Sequence, residues 1–159
     1  MPRRWSKLQR RIYEIFDPSI HLQFHCAVYR ISGHVNTVCP RYFLMLNGEI
    51  IWDWPRDYMR DLSYEETYLV YRESASDISN LAASYLNADR KTALVLRDGW
   101  GILDIFRAAD RRLGYRQWNA LQENINPKVE LAVEKIINAR RMVRKTSMKN
   151  KNTETHNNE

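Results

Sequence analysis

His21 and His25 are the first residues in this chain whose type and spacing could do chemistry. They fall in a run where Ile20, Leu22, Phe24, Cys26 and Val28 alternate with polar residues, so both imidazoles would project from one side of a strand. Four residues of strand rise about 13 Å, whereas nitrogens sharing a zinc must each lie within about 2.1 Å of it. The sequence supplies no obvious further ligands, and no metal site is expected. Asp53, Asp57 and Asp61 recur at intervals of four and would stack on one helical face, where carboxylates can share a proton or hold a cation. Pro55, Arg56 and Arg60 stand among them, and local charge pairing is the better reading. Cys26 and Cys39 form no Cys-x-x-Cys pair, and no His-Glu-x-x-His, Gly-x-Ser-x-Gly, Walker or dinucleotide fingerprint occurs. No catalytic residue, metal ligand or cofactor is assigned, and the reading leans away from an enzyme.

Binding chemistry is better represented. Arg107 and Arg111 lie one helical turn apart, and Arg112 and Arg116 extend the positive edge, so an anion could be gripped there. Asp104 and Asp110 flank Arg107 by three residues and could pair with it instead, leaving a mixed surface. Trp52, Trp54 and Tyr58, beside Arg56, could form a stacking platform for a base, a sugar or a peptide, although packing in the core is the commoner fate of such rings. Gly114 between two helices invites comparison with a helix-turn-helix, with Arg116, Gln117 and Asn119 as types that read base edges.

These groups need elements to hold them. Ser6 and Gln9 resemble a capping box, and Trp5, Leu8, Ile12 and Ile15 then recur at helical spacing until Asp17-Pro18. Arg3, Arg4, Lys7, Arg10 and Arg11 fall on its other face. A strand over 20–31 follows, and Asn47-Gly48 joins RYFLML to EIIW as a hairpin, giving a three-stranded antiparallel meander. Residues 63–73 fit helix or strand, with a slight preference for helix, and residues 90–97 fit a short helix or a strand. Helices are expected from Ser76, over 98–114 with Asp98 as cap and Gly114 as stop, over 115–123, and from Asn126-Pro127 onward. Strands first and helices after predict an α+β fold, with the meander packed against an N-terminal helix and a C-terminal helical layer. Residues 1–145 read as one domain and 146–159 as a disordered polar tail.

A chain of 159 residues can bury a sizeable core unaided. Its net charge of +6 is unevenly placed: residues 1–48 carry a net +5, residues 49–77 a net −5 and residues 78–159 a net +6. Basic flanks around an acidic middle either neutralise one another or leave a positive face. With two cysteines, no secretory pattern and no run long enough for a membrane span, a cytoplasmic protein with reduced thiols is expected.

The stretch WGILDIFRAADRRLG, the hairpin NGEIIWDWP and the later KIINAR resemble a family of small uncharacterised bacterial proteins, over most of residues 5–143. The resemblance implies a bacterial cytosolic origin and no activity, ligand or functional residue; the acidic middle and the tail have no counterpart in it. The expected function is a non-catalytic binding or interaction protein, with a protein partner preferred. One alternative is nucleic-acid binding through the arginine row and Arg140, Arg141, Arg144 and Lys145. The other is a small-ligand protein or enzyme with a pocket near Trp52 and Trp54.

Overall fold

The computed structural model describes residues 5–30, 38–54 and 77–156. The acidic segment with Arg56, Asp57, Tyr58 and Asp61, together with the open reading of 63–73, lies outside the described residues.

Helix α1 (Trp5–Ile15) buries Leu8 and Ile12, with Trp5 and Ile15 packed at the margin of the same core. Gln9 does not cap it. Its Nε2 donates to the Phe24 carbonyl at 2.8 Å, so the expected capping box is replaced by a bond from helix to sheet. Asp17 instead caps a 3-10 turn, Pro18–Ile20, by accepting from the Ser19 amide at 3.0 Å. His21, at φ 32°, then swings the chain into the sheet.

Strands β1 (Leu22–Arg30), β2 (Val38–Leu46) and β3 (Glu49–Trp54) pair antiparallel in the order β1-β2-β3. Asn47 and Gly48 turn the hairpin with φ of 51° and 83°, the doubly positive geometry that matches strand twist. Leu22, Phe24, Tyr42, Leu44, Leu46, Trp52 and Trp54 are all buried; their alternation in β1 and β2 and the cross-strand pairs Leu44↔Trp52 and Tyr42↔Trp54 place them on one face. On β3 it is therefore Trp52, and not Ile51, that turns fully inward.

The helices α2 (Asp77–Asn87), α3 (Arg90–Ala93), α4 (Ile102–Ala109), α5 (Tyr115–Gln122) and α6 (Glu130–His156) complete an α+β fold. Phe106 of α4 sits at the centre: its ring lies 6.0 Å from Phe24, 5.6 Å from Phe16 and 5.3 Å, stacked, from Tyr85 of α2. One continuous core joins α1, the sheet and the helical layer. Residues 90–93 resolve as helix because Asp89 caps them, accepting from the Thr92 amide at 2.8 Å.

The single helix expected over 98–114 is shorter. Asp98 accepts from the amides of Trp100, Ile102 and Leu103, each at 3.1 Å, and so caps α4 from upstream. The helix stops at Ala109 because the next residues pair with the end of α1. Asp17 N donates to Ala109 O at 2.8 Å and Arg111 N to Ile15 O at 2.7 Å, holding Asp110 extended. Gly114 therefore starts α5, its amide donating to Gln117 Oε1 at 3.0 Å, rather than ending α4.

Helix α6 buries Ala132, Val133, Ile136 and Ile137 and then leaves the body. It remains helical to His156, where a disordered tail was expected from residue 146. Propagation from an already nucleated helix needs one bond per residue, which polar residues can supply. Residues 144–153 are all exposed.

Gly101 precedes α4 at φ +82°, and a Cβ there would meet Val129 Cγ2 at 2.6 Å. Gly101→Ala combines left-handed strain with overpacking, and its unfolding free energy is expected to fall by about 3 kcal/mol. A urea melt measures this; a loss near zero would mean that the loop is not held against Val129.

Candidate functional site

The arginine row divides. Arg107 is 4% exposed and lies inside the protein: Nη1 donates to the carbonyls of Ala93 (2.9 Å) and Leu96 (2.6 Å), and Nη2 to Asp104 Oδ1 (2.7 Å). Asp104 is also anchored, accepting from Asn126 N at 2.8 Å. The expected second partner of Arg107, Asp110, is bound elsewhere. It accepts from Arg112 Nε, Nη2 and backbone amide, and from the Tyr85 hydroxyl at 2.8 Å. Arg112 is thus neutralised, whereas Arg111 and Arg116 are exposed.

Asp110 belongs to a buried polar junction. Arg140 of α6, 2% exposed, reaches through it. Nε donates to Asp17 Oδ2 (2.8 Å), Nη1 to the carbonyls of Ala108 (2.8 Å) and Asp110 (3.0 Å), and Nη2 to Leu113 O (2.9 Å). Its guanidinium also lies 4.4 Å from the Trp118 ring centre. Burial works against the charge on Asp17, but hydrogen bonds from Ser19 and Arg140 outweigh it and hold the carboxyl below its ordinary value. Burial likewise opposes ionisation of Asp110, and the bonds from Arg112 and Tyr85 again prevail. Tyr85 is pushed far up by burial and by the Asp110 carboxylate. Asp17, Asp110, Arg112, Tyr85 and Arg140 are each satisfied by another of these groups or by backbone, as in a structural lock. Arg140 therefore leaves the set of nucleic-acid candidates, because its charge is spent inside.

The rings of Trp52 and Trp54 are 1% and 0% exposed, so neither offers a face to a ligand. Asp53, also buried, takes a bidentate bond from Arg41, with Nε to Oδ1 at 2.8 Å. His21 and His25 line a 460 Å³ groove with Gln9, Tyr13 and Asp17. Several of its polar groups are engaged locally: His25 with Gln23 at 3.1 Å, Tyr13 with the Phe24 backbone, Asp17 with Ser19 and Arg140. Among the described residues no three His, Cys, Asp or Glu side chains converge to hold a metal. Cys26 is a free, partly buried thiol whose pKa is raised by burial.

The feature that sequence reasoning missed is a cleft of 340 Å³ between the loop after α3 and helix α5. Leu94, Leu113, Ala120 and Leu121 give it apolar walls; Arg97, Arg107, Arg116 and Gln117 are its polar lining. On α5, Arg116, Gln117, Ala120 and Leu121 share one face by helical spacing. Arg97 is half-exposed and 4.0 Å from Asp104; Arg116 makes no ion pair among the described residues. The Oε1 of Gln117 is used by Gly114, which leaves its amide nitrogen as a donor. With Arg107 neutralised by Asp104, two arginine charges remain and no carboxylate lines the wall. The signal for Arg97 was hidden because residues 90–97 could not be placed opposite α5 from periodicity.

The front of the chain, α1 and the meander with the acidic residues after it, is also where known proteins resemble it. Residues 4–75 match the SF0329 protein family. The likeness covers less than half of the chain. It includes NGEIIWDWP, and it runs through the acidic middle, for which no counterpart was expected. WGILDIFRAADRRLG, KIINAR and the whole 340 Å³ cleft lie beyond the SF0329 match. No curated protein and no solved structure matches significantly. Among the described residues no helix is long and apolar enough to cross a membrane.

Proposed function

We propose that this chain is a non-catalytic binding protein whose α3–α5 cleft takes a small organic anion, a carboxylate or phosphate monoester carrying a short apolar group. The observation that carries the reading is the polarity of the lining: each available polar side chain is a donor, and the remaining walls are aliphatic. A headgroup placed between Arg97, Arg116 and the Gln117 amide would receive charge-assisted bonds, and its apolar part would cover Leu94, Leu113 and Leu121. The lining holds arginine, glutamine and aliphatic side chains and no carboxylate, imidazole, thiol or hydroxyl, so the wall offers neither a general base nor a nucleophile. A protein partner enters this reading as one presenting such a group. A bacterial cytosolic setting and one domain spanning residues 1–145 complete it.

Octanoate, phenyl phosphate and octanol, titrated into labelled protein and followed by amide shifts, test the proposal. The two anions are expected to move the amides of Arg97, Gln117 and Leu121, and octanol is not. Arg116→Gln should weaken octanoate by about fivefold, the effect of one exposed charge of about 1 kcal/mol. Equal shifts with octanol, or still amides throughout, would remove the cleft as an anion site.

A further inference from the structure

The exposed part of α6 points to a second, independent surface: we infer that residues 141–149 bind the phosphodiester backbone of a nucleic acid. From Arg140 to Thr153 the sequence contains no acidic residue, while Arg141, Arg144, Lys145 and Lys149 follow one another along the helix. These four span about 12 Å of helix axis. Among the described residues no carboxylate pairs with any of the four. Among the described residues Arg141 bonds only neutral amides, Asn119 Oδ1 at 2.8 Å and Gln122 Oε1 at 3.0 Å. Arg144 lies over the rings of Tyr115 and Trp118, 5.0 Å from each centre. Lys145 and Lys149 are exposed, and Arg141, Lys145 and Lys149 follow one another at intervals of four, a spacing at which like charges repel. A linear polyanion relieves that repulsion along the whole segment.

The geometry favours nucleic acid over a lipid surface. A membrane-lying helix needs one continuous apolar face. The exposed Met142 and Met148 are six residues apart, which places them on different sides of α6. Arg141 and Arg144 are meanwhile pre-positioned on aromatic rings at the base of the projection, with Tyr115 itself partly open to solvent. Arg107, Arg112 and Arg140 take no part, since each is committed to a carboxylate of the body.

Anisotropy of a short labelled duplex, with the full chain, tests this surface. Four phosphate contacts give a slope of log K against log salt of about −3.6, so affinity should fall about 150-fold between about 50 and 200 mM salt. Lys145→Gln with Lys149→Gln should halve the slope and cut the fall to about 12-fold, while circular dichroism shows that the fold is retained. Absence of binding at low salt, or binding indifferent to the double substitution, overturns the inference. So does equal or tighter binding of anionic vesicles or polyglutamate of matched charge.

Discussion

Arg140→Met is expected to lower the unfolding free energy by about 3 kcal/mol, because it removes the buried member of a partly exposed ion pair and strips its bonds from three backbone carbonyls. Asp17 would lose its guanidinium, and the carbonyls of Ala108, Asp110 and Leu113 their only side-chain donor among the described residues. Methionine restores volume against Trp118 but donates nothing. Arg140→Lys keeps the charge yet cannot fork toward four acceptors, and it should recover less than half of the loss. Urea denaturation of both variants measures the effect. A change for Arg140→Met below about 1 kcal/mol, the worth of an exposed pair, would show that the junction is not formed.

Asp110→Asn should cost about 2–3 kcal/mol at neutral pH, the scale of hydrogen bonds to a charged group. It also changes the response to acid. The carboxyl of Asp110 sits below its ordinary value in the folded protein, so its contribution is fully present above the unfolded value of about 4. That contribution disappears as pH falls through the lower, folded value. Asp17 titrates in the same direction. The wild-type protein should therefore lose stability steeply below about pH 4, and the Asn variant, with one of these carboxyls gone, more gently. Parallel acid limbs in the two proteins would mean that Asp110 is not held ionised by Arg112 and Tyr85.

The meander was legible because its signals are local. Alternation from Leu22 and the Asn47-Gly48 turn each fix geometry within a few residues, and the observed strands follow them. The helices were legible as helices, but their surroundings were not. Arg107 was read as a surface residue because helices in small proteins usually show one face to water. All eight residues of α4 are buried, so the premise fails there. Arg140 did carry a signal. It continues the spacing of Val129, Val133 and Ile136-Ile137, and an arginine at an inward position calls for an acidic partner. That partner, Asp17, lies 123 residues away, beyond the reach of any periodicity argument. The α3–α5 cleft depends on where the loop after Ala93 meets α5, and packing decides this rather than propensity.

That distance has a consequence for biosynthesis. During translation the sheet and α1 emerge long before α6, with Phe24, Trp52 and Trp54 lacking their cover and Asp17 its counter-charge. The nascent front half cannot reach its final state until α6 has left the ribosome, and over that interval its apolar face is open to misassembly.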